Sequence, residues 1–340
     1  MIFTIILFLI GFVLITKGAD IFIESTISVA KRTNISEMVL GATIVSLATT
    51  FPELTVSAFA SVEGHTTMSL GNAVGSIICN TGLALGLVAI IKPFKVSSRD
   101  FNSKAILLIV SIIVLIVLGF DKNIDRVDSM ALIGILFIYM INNYKSIPKS
   151  NKNMKQSNKN GIKIKSKDFM KIITMFILGI TMMIIGSKLL VNNGIKIAEF
   201  VGVPQAVISL TVIALGTSLP ELVSCLTAIR KNHNAISVGN ILGANILNVS
   251  SVIGVSGFIN DIPILNQSSV IDFPFMILLI LLLIVPTFLK QRIYRIQGVL
   301  NIDDMTFTDC LDFDENIKLD LFDNYDFLSL NTFELKDNKA

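Results

Sequence analysis

The chain contains few of the side chains that bind soft metal ions or carry out nucleophilic catalysis. Its 340 residues include three cysteines and two histidines. Cys79, Cys225 and Cys310 are too scattered for a disulfide framework, and the first two fall in apolar segments, so we interpret them as packing residues. His65 and His233 are predicted to lie in loops as structural or solvent-facing residues. This composition does not support soft-metal chemistry, and an intramembrane hydrolase is disfavoured because no nucleophile is paired with a base.

Charged residues are also scarce, at 16%, whereas apolar residues make up 52% and the mean hydropathy is +0.73. These values are typical of an all-α polytopic membrane protein rather than of a soluble globular one. Nine apolar segments are long enough to be predicted as membrane helices. They cover residues 2–30, 37–61, 68–91, 104–120, 129–142, 169–198, 204–229, 236–259 and 269–289.

Two of these segments carry the same polar motif. Residues 48–53 read Ala-Thr-Thr-Phe-Pro-Glu, and residues 216–221, 168 positions later, read Gly-Thr-Ser-Leu-Pro-Glu. At this offset the following segments also align without a gap, and the shared residues include Gly71/Gly239, Asn72/Asn240, Gly75/Gly243, Asn80/Asn248 and Gly86/Gly254. Because five helices precede the second copy, the halves should cross the membrane in opposite directions. The sequence therefore predicts an inverted repeat of two five-helix halves, residues 1–142 and 169–300.

The two motifs place Glu53 and Glu221 in the middle of membrane helices. An acid there costs about 2.5–3.5 kcal/mol even on lenient insertion scales, so it usually faces a partner or a water-filled cavity. Pro52 cannot donate a hydrogen bond to the carbonyl of Ala48, so its helix should kink or break. Carbonyls near Ser46 should then be free to line a cavity.

Hydroxyl and amide groups accompany both acids. Thr49 and Thr50 precede Glu53 by four and three residues, which places them on the side of the carboxylate. Thr217 and Ser218 repeat this arrangement before Glu221. On the next helix of each half, Ser76, Asn80 and Asn248 supply one hydroxyl and two amides, whereas Ala244 lacks the hydroxyl of Ser76.

The combined set contains two carboxylates, hydroxyls, amide oxygens and backbone carbonyls. Ca²⁺ takes about 6–8 oxygen ligands, and two carboxylates cancel its charge. The sequence therefore predicts a hard-cation site for transported ions and no resident cofactor. The alternative, that proline kinks and hydroxyls only assist helix packing, is least plausible for the two glutamates.

Positive charge in short loops predicts the orientation. Loops after the first, third, fifth, seventh and ninth helices are basic and are expected in the cytoplasm, which places the amino terminus outside. The central loop, residues 143–168, is rich in lysine and of low complexity, and we interpret it as a flexible cytoplasmic linker. Binding of the lysines to lipid or nucleic acid is a weaker alternative. The predicted partners are the bilayer and the transported cations, with no nucleic acid, and the chain is expected to function as a monomer.

The paired motifs resemble the alpha-repeats of the sodium/calcium exchanger family, in the calcium:cation antiporter superfamily. The resemblance covers about residues 1–299. It implies a ten-helix exchanger of the cell membrane in which the paired glutamates bind Ca²⁺ or Na⁺ alternately, while the first and sixth helices slide over a fixed core. It also implies that Thr50, Ser218 and Ser76 give hydroxyls to Na⁺, with help from the carbonyls of Ser46 and Ala214.

The sequence departs from the motifs of the family at Ala48, Thr50, Ala244 and Asn248. The glutamate- and histidine-containing motif that is typical of the proton-coupled branch is absent. Na⁺-driven exchange of Ca²⁺ is therefore the first hypothesis, and H⁺-coupled or other divalent-cation exchange is the second. An inactive membrane scaffold or sensor derived from an exchanger remains an alternative from a different class.

The tenth helix that would complete the second half is not predicted. Residues 301–340 contain eleven Asp and Glu against three Lys, and no apolar window of about 17 residues remains. We therefore expect an acidic cytoplasmic tail that is disordered or only locally helical. The abrupt change of composition favours a truncated or frame-shifted reading over a native regulatory tail.

Overall fold

The computed structural model describes residues 1–33, 35–96, 98–146, 166–201 and 214–308. Within them, eight helices are long and apolar enough to cross a membrane. They correspond to eight of the nine predicted segments, which confirms the all-α polytopic class. The predicted seventh helix, 204–229, is described only from residue 214 onwards.

The helices are numbered in chain order, and four of them contain a turn of π-helix, in which each N–H bonds to the fifth preceding carbonyl. They are α1 (Ile2–Thr33), α2 (Glu37–Val62), α3 (Thr66–Ile91), α4 (Ser98–Leu118), α5 (Arg126–Lys145), α6 (Ser166–Phe200), α7 (Ala214–Thr217), α8 (Leu219–Arg230), α9 (Asn234–Ile259), α10 (Ser268–Lys290) and α11 (Arg295–Thr308). The π-helical turns are Gly41–Val45 in α2, Cys79–Leu85 in α3, Asn248–Ile253 in α9 and Ser268–Asp272 in α10.

The fifth helix is longer than its apolar run. Hydropathy predicts a short helix over 129–142, whereas α5 has 20 residues and ends at Lys145. Its start is fixed by a capping box, in which the Asp125 carboxylate accepts from the N–H of Asp128 and the Asp128 carboxylate accepts from the N–H of Asp125. Such polar caps extend a helix beyond the residues that hydropathy detects.

The two longest helices, α1 and α6, pack antiparallel through four glycines. A Cβ atom on Gly11 would lie 2.9 Å from the carbonyl oxygen of Gly186, and one on Gly18 would lie 2.8 Å from that of Gly179. The backbones therefore touch directly, as small residues permit in membrane helices. The outer faces of both helices are apolar and exposed, as expected for contact with lipid.

Short strands join the two parts of the chain in a crossed pattern. β1 (Phe94–Lys95) pairs antiparallel with β4 (Arg292–Ile293), and β2 (Asn123–Ile124) pairs antiparallel with β3 (Ile262–Pro263). β3 follows β1 by 168 positions, so the strand after the third helix of each half pairs with a strand of the other half. The turns that precede α3 and α9 also match, since Gly64 and Asn232 have φ values of 87° and 64°.

A short helix lies where the composition predicts no membrane-spanning one. α11 begins at Arg295 and continues through residue 300, the predicted end of the second half, to Thr308. It packs on α3, where a Cβ on Gly298 would collide with the carbonyl oxygen of Gly86. In the same way, α5 packs on α9 at Gly254, the repeat partner of Gly86. α11 thus lies in the position of a tenth helix, but with 14 residues it is not among the described helices that are long and apolar enough to cross a membrane, which is consistent with the prediction of no tenth spanning helix. Residues 309–340 lie outside the described part.

The centre of the molecule is formed by α2, α3, α8 and α9. The apolar window of α9 is 89% buried, against 22% for α1 and α6. α2 runs through Pro52 without a break, and its irregular turn lies upstream at Gly41–Val45. The predicted interruption occurs in the second copy, where Ser218 separates α7 from α8.

Candidate cation site

The two glutamates of the repeated motifs lie buried at the contact between the halves. Glu53 on α2 and Glu221 in the first turn of α8 are both 0% exposed. The Thr50 hydroxyl, one turn before Glu53, lies 3.4 Å from Oε1 of Glu221 and links the two motifs. No Lys or Arg of the described ranges forms an ion pair with either carboxylate. Among the described residues the two carboxyl groups therefore have no protein cation beside them, and their ionised forms are costly in the core unless a bound cation offsets the charge.

Two asparagines hold the motifs across the repeat. The Thr49 hydroxyl donates to Oδ1 of Asn240 at 3.3 Å, and the Thr217 hydroxyl donates to Oδ1 of Asn72 at 3.4 Å. These contacts are equivalent under the offset of 168, and each joins a motif of one half to the amide helix of the other. The amide nitrogen of Asn72 donates to Ser57 at 2.9 Å, and that of Asn240 donates to Ser224 at 3.0 Å.

The backbone around the site is irregular where the polar side chains stand. Asn80 and Asn248 both lie in π-helical turns, Cys79–Leu85 and Asn248–Ile253. Such turns expose carbonyls that a regular helix would use, and they are frequent at functional sites. In α2, the carbonyl of Ala42 accepts instead from the Tyr139 hydroxyl of α5 and from Asn143 at 3.5 Å. The Thr49 hydroxyl lies 3.2 Å from the Val45 carbonyl and 3.4 Å from the Ser46 carbonyl.

Several polar atoms of this region are fully buried and have no hydrogen-bonding partner among the described residues. They are Oε1 and Oε2 of Glu53, Oε2 of Glu221, Oγ of Ser76 and of Ser218, Oδ1 of Asn80, and Oδ1 and Nδ2 of Asn248. The turns that carry both amides contact the central helices, since Cys79–Leu85 packs on α8 and Asn248–Ile253 packs on α2 and α3. A buried oxygen without a partner is destabilising unless it coordinates something. Seven of the eight atoms are oxygens, the ligand type that hard cations prefer.

Most of the predicted site residues are buried here. Ser46, Thr49, Thr50, Glu53, Ser76, Asn80, Ser218, Glu221 and Asn248 are all at most 3% exposed. Thr217 is half-buried, and Ala214 begins α7. His233 contacts Glu37, with Nδ1 lying 2.6 Å from Oε1, which fits the structural role expected for it.

The site contains few acidic side chains. Among the described residues there is no group of three or more His, Cys, Asp or Glu that could hold a metal ion. The cation ligands would therefore be two carboxylates supplemented by neutral oxygens. Such a set balances the charge of one divalent ion without the excess of carboxylates found in high-affinity calcium sites.

Asn72, Asn240 and Asn245 contact the site residues, although the repeated motifs did not predict them as part of the site. Asn72 and Asn240 are identical between the halves, and that identity was the available signal. Asn245 has no such signal, because Ile77 occupies the equivalent position in the first half.

Comparisons with known proteins agree over most of the chain. The model of the family described as sodium/calcium exchanger protein matches residues 3–145 and 171–302. A membrane protein of Methanocaldococcus jannaschii is 31% identical over 295 residues, covering 86% of this chain and 92% of the relative. The sodium/calcium exchanger MaX1 of Methanosarcina acetivorans is 29% identical over 331 residues, covering 86% and 94% respectively.

A solved structure shares both the fold and part of the sequence. The sodium-calcium exchanger NCX_Mj, soaked with 10 mM Na⁺ and 10 mM Sr²⁺, matches with a TM-score of 0.80 and 28% identity. The match covers 92% of this chain and 99% of that one. Together with the family match and the buried glutamate pair, it shows that the chain belongs to the sodium/calcium exchanger family.

Proposed function

We propose that this protein exchanges Ca²⁺ for Na⁺ across the cell membrane by alternating access, with Glu53 and Glu221 as the central ligands. The family consists of secondary transporters, not enzymes. The observation that carries the assignment to these residues is the buried carboxylate pair, one from each half, with three carboxylate oxygens that have no hydrogen-bonding partner in the described part of the chain. A cation bound between them would supply the missing countercharge.

The neutral groups would contribute more to binding Na⁺ than to binding Ca²⁺. Two carboxylates offset a divalent ion, whereas Na⁺ carries one charge and depends relatively more on neutral oxygens. We assign this role to Thr49, Thr50, Thr217, Ser218, Ser76, Asn80 and Asn248, with the carbonyls of Ser46 and Ala214. The burial of the side chains and the unpartnered atoms of Ser76, Ser218, Asn80 and Asn248 support the assignment.

Alternating access would use α1 and α6 as the moving pair. Their glycine contacts bring backbone against backbone, which leaves few interlocking side chains to resist sliding. The crossed strand pairs and the antiparallel glycine contacts support an inverted repeat. We further propose an outside amino terminus, a cytoplasmic linker over residues 143–168 and a functional monomer.

Flux in proteoliposomes tests the coupling. Vesicles loaded with Na⁺ should accumulate radioactive Ca²⁺ when diluted into Na⁺-free buffer, and uptake should stop when the Na⁺ gradient is abolished. Uptake that ignores Na⁺ but follows a pH gradient would identify an H⁺-coupled exchanger instead. Ca²⁺ binding without gradient-driven flux would identify an inactive scaffold or sensor.

A further inference from the structure

The side chain of Asn80 is bound at one end and unpartnered at the other. Its Nδ2 donates to Oδ1 of Asn245 at 3.4 Å, while its Oδ1 is buried and has no partner among the residues that the structure describes. An asparagine amide can present either an oxygen or an NH₂ group to a neighbour, and only the oxygen can bind a cation. Whatever engages the NH₂ group therefore decides whether Asn80 attracts or repels a positive ion.

Asn245 on α9 bridges two consecutive residues of α3. Its Oδ1 accepts from Asn80, and its Nδ2 donates to the Thr81 hydroxyl at 2.8 Å. Asn80, Thr81 and Asn245 are at most 1% exposed. Water therefore cannot replace these contacts cheaply, and both ends of the Asn245 amide are engaged by side chains of α3.

The second half has no counterpart of this bridge. At the repeat offset, Ile77 stands for Asn245 and Val249 stands for Thr81. Asn248, the repeat partner of Asn80, accordingly has neither its Oδ1 nor its Nδ2 engaged by a described residue. The two amides of the site are thus chemically identical but differently held.

We infer that Asn245 is a positioning residue, which binds the NH₂ group of Asn80 and so directs the Asn80 oxygen towards the transported cation. This inference rests on the proposed function, because it takes Asn80 to be a ligand. Asn245 itself does not contact the ion. Asn80 is pre-oriented, and Asn248 must be turned by the cation as it binds.

Replacing Asn245 tests the inference through cation affinity. Asn245→Leu removes both hydrogen bonds, and the loss of one oriented ligand should raise the Ca²⁺ concentration for half-maximal uptake roughly 5- to 10-fold. Thr81→Ser keeps a hydroxyl for the Asn245 NH₂ group and adds no charge, so it should leave half-saturation within about twofold of the wild type. Thr81→Val, which removes the second anchor of Asn245, should give a smaller increase and serves if Asn245→Leu does not fold.

The matched control is Ser237→Ala, on the same helix. The Ser237 hydroxyl donates to the Cys225 carbonyl at 2.7 Å, so this variant loses a buried interhelical hydrogen bond outside the proposed ligand set. It should lower the melting temperature without changing half-saturation. A second readout is the rise in melting temperature on adding Ca²⁺, which should shrink in Asn245→Leu alone.

Two results would overturn the inference. One is that Asn245→Leu keeps the wild-type half-saturation, or shifts it no more than Ser237→Ala does. The other is that Thr81→Ser raises half-saturation as much as Asn245→Leu although it folds and transports. Failure of the proposed function is distinguishable, because the wild-type protein would then show no Na⁺-driven uptake at all.

Discussion

At the scale of the residue, the site combines charges that offset a divalent ion with neutral oxygens that suit a monovalent one. Thr50 and Ser218 occupy equivalent positions, and both hydroxyls are buried beside the glutamates. The Thr50 hydroxyl lies 3.4 Å from Glu221, whereas the Ser218 hydroxyl has no partner among the described residues.

We expect Thr50→Ala and Ser218→Ala to weaken Na⁺ dependence more than Ca²⁺ affinity. Removing a neutral ligand leaves both carboxylates for Ca²⁺, whereas Na⁺ loses a larger share of its coordination. The Na⁺ concentration for half-maximal exchange should rise by roughly 5- to 10-fold, the equivalent of about 1 kcal/mol per lost contact. Equal losses for the two ions would show that the hydroxyls only hold the fold.

The hydroxyl and carboxyl residues of the repeated motifs could be predicted because an acid in a membrane helix by itself indicates a functional site. The partners of the motifs could not be predicted in the same way. Thr49 meets Asn240, and Thr217 meets Asn72, only because α2 of one half packs against the amide helix of the other. In a single sequence, the only sign of this packing is that Asn72 and Asn240 are identical between the halves.

At the scale of the element, close backbone contact defines how α1 and α6 pack. A Cβ on Gly18 would lie 2.8 Å from the Gly179 carbonyl oxygen, whereas a Cβ on Gly134 of α5 would meet no atom within 4 Å. Both glycines lie within helices, but only Gly18 faces the backbone of another helix. The same substitution is therefore expected to have opposite effects at the two positions.

We predict that Gly18→Ala lowers the melting temperature in detergent and that Gly134→Ala does not. The first change forces the two helices apart, with a cost of about 1–3 kcal/mol as in other overpacked contacts. The second introduces a better helix former into open space, which favours the helix by up to about 1 kcal/mol. Equal melting temperatures for the two variants would contradict the glycine packing.

Hydropathy predicted the long apolar elements well and the polar ends poorly. α5 starts earlier than its apolar run because Asp125 and Asp128 cap it. The extent of α11 could not be predicted because its last residues are acidic, although Gly298 fits against Gly86 of α3 and Asn301 is buried there, with its Nδ2 lying 3.4 Å from the Thr81 carbonyl. Contacts of this kind stabilise a helix that composition alone does not favour.

At the scale of the whole molecule, ion pairs link α1 to the carboxyl end of α8. Lys231 lies 2.7 Å from Glu24 and 3.4 Å from Asp20. The pKa of Lys231 is raised, because burial lowers it by less than the hydrogen bond to Glu24 and the charge of Asp20 raise it. At the repeat offset the charges are reversed, with Lys188 on α6 and Glu63 after α2, and these two exposed residues are not paired within the described ranges.

If α1 and α6 slide together, the pair at Lys231 must open during transport. Lys231→Gln should then raise the maximal exchange rate, by up to about fivefold for a surface ion pair of at most 1 kcal/mol. Half-saturation by Ca²⁺ should stay unchanged, and Lys196→Gln, at an exposed position of α6, is the matched control. A rate for Lys231→Gln equal to that of the control would show that the ion pair does not restrain α1.

The orientation of the whole chain can be tested at the central linker. We expect Lys155→Cys to react only with thiol reagents that enter the cytoplasm, because basic loops remain on that side. Labelling in a background without native cysteines, compared between permeant and impermeant reagents, provides the measurement. Labelling of intact cells by the impermeant reagent would overturn the proposed topology.

The central claim is that one carboxylate from each half jointly binds the transported divalent ion. The most direct test is Na⁺-driven Ca²⁺ uptake by Glu53→Gln and by Glu221→Gln, with Glu63→Gln as the control because Glu63 is exposed at the end of α2. A single carboxylate cannot offset a divalent charge in a buried site. The account predicts that both site variants fold, insert and lose uptake, while Glu63→Gln transports normally. Near-normal Ca²⁺ uptake by either site variant would contradict it.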